Sequence, residues 1–225
     1  MNNSLRRYVA EFFGTFVLVA IGPGAAMVAD KTHAFGHAGV ALAFGHLSGA
    51  HINPAVTIGF WSVRRFPSRD VAPYVIAQSL GAIAASAVLV WLLGPVGNFG
   101  ATVPSVPTAQ AFVIEAGYTG LLGFVIMAVA TDDRTPPAIA PFVLGITVFA
   151  GALVTGPLTG GSFNPARSLG PAVVGKVWTA HWLYWLAPIV GMTVAMRIYE
   201  MLRTASAPST DRDRLTGVEG PLVRD

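Results

Sequence analysis

The chain contains no cysteine. That absence excludes a disulfide framework, a thiol nucleophile and a thiolate metal site, and it leaves the redox compartment unspecified. Charge is scarce as well. Only 11% of the 225 residues are Asp, Glu, Lys or Arg, against roughly 25% in ordinary soluble domains. The excess of basic residues, 14 Lys and Arg against 11 Asp and Glu, does not read as a nucleic-acid footprint, because these residues are scattered, with neither a stripe nor interleaved aromatics. What the chain does have is apolar sequence, 53% of it hydrophobic, which places it in a lipid bilayer.

Five runs, 8–29, 73–93, 109–130, 138–156 and 177–201, each approach the ~20 residues that a spanning helix needs. A sixth, 34–45, gives only ~18 Å of helix at 1.5 Å per residue. The first run follows Arg6 and Arg7 as a signal peptide would, but it is too long for a signal core and lacks a small-residue cleavage site, so it is expected to persist as a helix. Residues 1–7 read as a short N-terminal segment. Residues 203–225 are polar, without apolar period, and read as a disordered tail. If all six runs cross, Arg6, Arg7, Arg64, Arg65, Arg69, Arg134 and Arg203 fall on one side and only Lys31 and Lys176 on the other. The positive-inside rule then makes both termini cytoplasmic in a multi-pass protein of the cell membrane.

The tripeptide Asn-Pro-Ala occurs twice, at Asn53, Pro54, Ala55 and at Asn164, Pro165, Ala166. Asn is a favoured helix N-cap and Pro is favoured at the first helical position, so each copy predicts the start of a short helix. Around them the two halves of the chain repeat. GHLSGAHINPAV at 45–56 aligns without a gap on GPLTGGSFNPAR at 156–167, and upstream Glu11 and Thr15 match Glu115 and Thr119, each pair four apart on one helix face. Three crossings per copy is an odd number, so the second copy is inverted relative to the first. Inverted repeats place a solute site at the bilayer midplane, between broken helices entering from opposite faces. The irregular segments 48–52 and 159–163 are expected to line water with their carbonyls, since unpaired backbone survives at that depth only against protein or water. If each Asn oxygen caps its own helix, its amide hydrogens are left to donate into the lumen.

With AEFFGTF at 10–16, GHLSGAHINPAV at 45–56 and SFNPARSLGPAV at 162–173, the chain resembles the aquaporin, or major intrinsic protein, family over about 8–202. The resemblance implies an all-α membrane protein of six transmembrane helices and two re-entrant half-helices, an inverted 3+3 repeat with repeat one over about 8–93 and repeat two over about 109–202. It also implies a homotetramer, a passive water channel that excludes protons and ions, no enzymatic activity, no cofactor, no metal and no nucleic-acid partner. Asn53 and Asn164 would be the central donors. Arg167, which has no counterpart at Val56, would belong to a narrow constriction where its charge repels cations. Glu11 and Glu115 could carry protons in a coupled transporter. Their symmetry favours a structural role, accepting hydrogen bonds from the irregular backbone of the neighbouring repeat. His46 and His51 bracket the first irregular segment, and the second copy replaces them with Pro157 and Ser162, which argues against metal binding. Small residues such as Gly81 and Ala85 read as close helix packing.

Solute size is where the readings diverge. Ser168, Ala172 and the Tyr184, Trp185 pair are similar to the water-selective branch of the family, yet the fifth-helix constriction position is Ala152 and the loop position is Gly161. Two small residues beside Arg167 imply a wider gate, open to neutral solutes such as glycerol, urea or ammonia. The remaining gate position lies in the second helix, where the chain departs from the family. The spacing from Glu11 to Asn53 is seven residues shorter than that from Glu115 to Asn164. Local wording makes Phe44 the gate and family spacing makes it His33. The shortfall predicts a second helix that is short or begins near Lys31, and a non-conducting scaffold is the third reading if it disrupts the pore.

Overall fold

A computed structural model describes residues 3–32, 51–131, 136 and 139–205. These residues form α1 (Asn3–Thr32), α2 (Pro54–Ser62), α3 (Ser68–Leu93), a single 3-10 turn (Gly97–Gly100), α4 (Thr108–Ala130), α5 (Ala140–Thr159), α6 (Pro165–Gly175) and α7 (Leu183–Ala205), with no strand among them. Segments of α1, α3, α4 and α5 are long and apolar enough to cross a bilayer. With 23 residues α7 is as long as α4, ~35 Å at 1.5 Å per residue, enough for a hydrocarbon core of ~30 Å. The expected helix at 34–45, and with it His33, Phe44 and His46, lies outside the described residues, as does Arg134.

Several boundaries differ from those read in the sequence. α1 already begins at Asn3 and runs through Thr32, so 30–32 belong to the first helix, and the start expected for a second helix lies outside the described residues. No Gly or Pro follows Gly24 in that stretch to stop it. α7 starts only at Leu183, because Lys176 (φ 56°) and Ala180 (φ 50°) adopt the left-handed backbone that cannot continue a right-handed helix. It then runs on to Ala205, taking in the first residues assigned to the tail.

Packing keeps the two halves equivalent. α1 lies along α3 and α4 along α7, while each short helix crosses to the other half, α2 onto α7 and α6 onto α3. Glycine makes the long pairs close. A Cβ at Gly81 would run into the Phe12 carbonyl, and a Cβ at Gly191 into the Ala116 carbonyl, the matching position in the second copy. The main apolar cluster, including Ala55, Leu122, Met127, Phe163, Met192 and Met196, lies where α2, α4 and α7 meet the chain entering α6.

The ends of the bundle differ in charge. Arg7 pairs with Asp70 at 3.1 Å, while Arg65 and Arg203 share Glu200 at 3.1 and 2.8 Å, all at the end where α1 and α3 begin and α2 and α7 finish. Trp61 is exposed near that end, and Trp91, Trp178 and Trp182 near the other, the positions where indole rings settle at membrane interfaces.

Candidate functional site: two helix N-termini face to face

Both short helices are built as their first residues dictate. Asn53 is the N-cap of α2, its Oδ1 accepting from Ala55 N at 2.9 Å, and Asn164 is the N-cap of α6, accepting from Ala166 N at 3.0 Å and Arg167 N at 3.2 Å. Pro54 and Pro165 hold the first helical positions, where their missing N–H leaves nothing unsatisfied. The remaining amide groups tie the two helices together. Asn53 Nδ2 donates to Phe163 O at 2.8 Å and Asn164 Nδ2 donates to Ile52 O at 2.9 Å.

That reciprocal pair corrects the expectation that all the Asn amide hydrogens stay free. One hydrogen of each amide is spent on the opposite loop, and one remains. The Ile52 and Phe163 carbonyls each accept one of these bonds and keep a second lone pair, and residues 48–50 of the first irregular segment lie outside the described residues. The arrangement needs both of these residues in left-handed backbone, Ile52 at φ 43° and Phe163 at φ 54°, a conformation that is uncommon for bulky and β-branched side chains. Such strain persists only where the surroundings over-determine it.

Two buried carboxylates supply that constraint. Glu11 Oε1 accepts from His51 N at 3.0 Å, and its Oε2 from Ile52 N at 2.7 Å and Gln78 Nε2 at 2.6 Å. Glu115 Oε1 accepts from Ser162 N at 3.0 Å and Thr159 Oγ1 at 2.6 Å, and its Oε2 from Phe163 N at 2.9 Å. Each carboxylate therefore holds the loop of its own half, not that of the neighbouring repeat, because α1 and α4 each pack within their own half. A second polar layer repeats as well. His51 Nδ1 meets Thr57 Oγ1 at 3.1 Å, with Gln78 Nε2 also donating to that oxygen, and in the other copy Ser162 Oγ meets Ser168 Oγ, to which Thr102 Oγ1 donates at 2.8 Å.

Arg167 lies one residue beyond the second Asn-Pro-Ala. Its Nη1 donates to Gly100 O at 3.0 Å and its Nη2 to Gly160 O at 3.4 Å, and among the described residues it forms no ion pair. Gly100 is held in place by its own backbone, φ 70°, with the space of a side chain filled by Pro23 of α1. Next to Gly160, a Cβ on Gly161 would stand 3.3 Å from Ala152 Cα and 3.1 Å from Thr155 Oγ1. So Arg167 reaches the loop at Gly160 while Ala152 of α5 lies against the adjacent Gly161. Glycine at 161 lets α5 approach, so its smallness is used by packing.

His51 is buried against Phe60, Phe66 and Tyr74, with ring centroids 5.1, 4.8 and 5.3 Å away. No three His, Asp or Glu side chains among the described residues group as metal ligands. Sequence reasoning missed Gln78, Thr57, Thr102 and the Gly100 carbonyl. Thr57 could have been found, since it and Ser168 each stand four residues after an Asn, and Gln78 is the single amide side chain in 73–93. A backbone carbonyl has no sequence signal.

Paired half-helices inside long apolar helices define an α-helical membrane channel. The family model described as Major intrinsic protein matches residues 1–199. Aquaporin NIP1-4 of Oryza sativa subsp. japonica is 44% identical over 214 residues, covering 88% of this chain and 77% of the relative. The probable aquaporin AqpM of Archaeoglobus fulgidus is 40% identical over 239 aligned positions, covering 88% of this chain and 96% of the relative. Among solved structures, the aquaglyceroporin from Plasmodium falciparum superposes with a TM-score of 0.77 at 26% identity, over 90% of this chain and 98% of that one. The chain belongs to the major intrinsic protein family, and it is a membrane-integral channel for water or small solutes, not an enzyme.

Proposed function

We propose that the chain is a passive water channel, driven by osmotic gradients, whose pore passes between the N-termini of α2 and α6. The observation that carries this reading is the reciprocal bonding of Asn53 and Asn164 to the carbonyls of Phe163 and Ile52. It aims two helix N-termini, each equivalent to roughly half a positive charge, at one point, with one amide N–H per Asn left to donate to a passing solute. Positive potential there repels cations and protons while neutral molecules pass, the general device of aquaporin-type pores. Arg167 adds a second positive barrier. Glu11 and Glu115, each bonded to two backbone N–H groups and one side-chain donor, serve the architecture and do not relay protons. The clustering of Arg7, Arg65 and Arg203 at one end supports cytoplasmic termini in the plasma membrane, and we assign the oligomer as the homotetramer that the resemblance implies.

A second reading, a facilitator of glycerol, urea or ammonia, is favoured by Ala152 beside Gly161, and a structural relative is an aquaglyceroporin. The two readings separate in proteoliposomes transferred into isosmotic glycerol or urea. A strict water channel shrinks osmotically in sorbitol and admits neither solute. If the wild type does admit glycerol, Ala152→His is expected to cut glycerol entry at least tenfold while sparing water, because a side chain added at the narrowest point discriminates by diameter.

A further inference from the structure

We propose that the outer face of the α1/α3 pair is a binding site for an anionic phospholipid, with an acyl chain in an apolar groove and the headgroup phosphate held by Arg6 and Arg69. The groove has a volume of about 400 Å³ and is walled by Val9 and Phe13 of α1 and by Pro73, Ile76, Ala77 and Leu80 of α3. Its rims are exposed, Phe13 at 56%, Ile76 at 59% and Leu80 at 54%, while Ala77 leaves the floor low between them. From Pro73 to Leu80 it runs ~10 Å along the helix at 1.5 Å per residue, parallel to the direction a lipid chain takes in the membrane.

Charge at one end selects the occupant. On α3 the groove face continues from Ala77 through Pro73 to Arg69 at intervals of four, and on α1 from Phe13 through Val9 to the turn holding Leu5 and Arg6. The two turns stand at one level, because the adjacent residues are bonded. Arg7 pairs with Asp70 at 3.1 Å, and Tyr8 donates to Asp70 at 2.8 Å. Asp70 is thereby committed inward, whereas Arg6 and Arg69 are exposed, and no ion pair to either occurs among the described residues. Two exposed guanidiniums closing an apolar groove at the bilayer boundary match a phosphate attached to a hydrocarbon chain. Basic positions between membrane helices on the cytoplasmic side recognise anionic headgroups in this way. The proposal rests on the orientation given above, which puts this end in the leaflet where anionic lipids reside.

The test is native mass spectrometry and thermal unfolding of the full chain in detergent, with phosphatidylglycerol or phosphatidylcholine of identical acyl chains added. Phosphatidylglycerol is expected to be retained and to raise the unfolding temperature, phosphatidylcholine much less. Arg69→Gln and Arg6→Gln each reduce the preference about fivefold. Arg64→Gln, an exposed arginine off the groove, leaves it intact, and Ala77→Trp abolishes retention of either lipid by filling the floor. Equal retention of the two lipids by the wild type overturns the proposal, as does loss of preference in Arg64→Gln equal to that in Arg69→Gln. A change of oligomer mass in Ala77→Trp without loss of lipid would assign the groove to a second copy of this chain. The arginine variants are surface changes that keep the test valid if Ala77→Trp does not fold.

Discussion

Ile52 and Phe163 stand in left-handed backbone immediately before the two capping asparagines, and their N–H groups end on the oxygens of Glu11 and Glu115. A carboxylate suits this task because it is acceptor only, and three donors converge on each. An amide offers one acceptor atom and turns a donor toward a donor. Glu115→Gln therefore leaves a buried backbone N–H without a partner, which costs about 1–3 kcal/mol, and it releases the loop that presents the Phe163 carbonyl to Asn53. Thermal unfolding in detergent is expected to drop by several degrees, and water permeability in proteoliposomes to fall by more than half. Unchanged permeability with lowered stability would mean that Glu115 braces the fold without setting the pore. Much of this residue layer is legible in sequence, because the Asn-Pro-Ala copies and the Glu, Thr pairs are local patterns repeated in register. The cross-links were not legible, since an amide of one copy meeting a carbonyl of the other depends on how two distant loops meet in space.

At the level of elements, the pairs α1/α3 and α4/α7 depend on helices whose backbones nearly touch. Without a hydrophobic driving force between helices in lipid, such contacts are where association is decided. Gly191→Ala would press a methyl against the Ala116 carbonyl, which cannot yield, and is expected to cost about 1–3 kcal/mol as an overpacked site. The short helix α2 offers a contrast. The atoms nearest a methyl on Gly59 are side-chain ones, Met192 Cγ and the Sδ and Cε of Met196, in flexible groups that fill irregular space, so Gly59→Ala should cost less than a clash with backbone. Gly117, with open space around it, should be neutral. Equal unfolding temperatures for all three variants would refute the ordering. Hydropathy found the long helices because burial in lipid leaves an apolar run. Their ends escaped it, because Lys176 and Ala180 interrupt an apolar stretch by backbone conformation, and Asn3 to Arg7 extend a helix with polar residues.

For the whole molecule, the proposed activity rests on one geometry: two opposed helix N-termini, locked by Asn53 and Asn164 and surrounded by long apolar helices, with Arg167 proposed as a second barrier. The repeat could be read before any coordinates, because 45–56 aligns without a gap on 156–167, while the odd number of crossings expected to invert it includes 34–45, which lies outside the described residues. The approach of Ala152 to Gly161 could be anticipated only through the family resemblance, and the Gly100 carbonyl that anchors Arg167 could not be anticipated at all. Osmotic water permeability of proteoliposomes holding the purified chain, read by stopped-flow light scattering against empty vesicles of the same lipid, tests the central claim most directly. The account predicts shrinkage many times faster than in empty vesicles, no accompanying proton entry by an internal pH dye, and loss of most of the increment in Asn53→Leu with Asn164→Leu. Shrinkage no faster than in empty vesicles, with the protein folded and inserted, would contradict it.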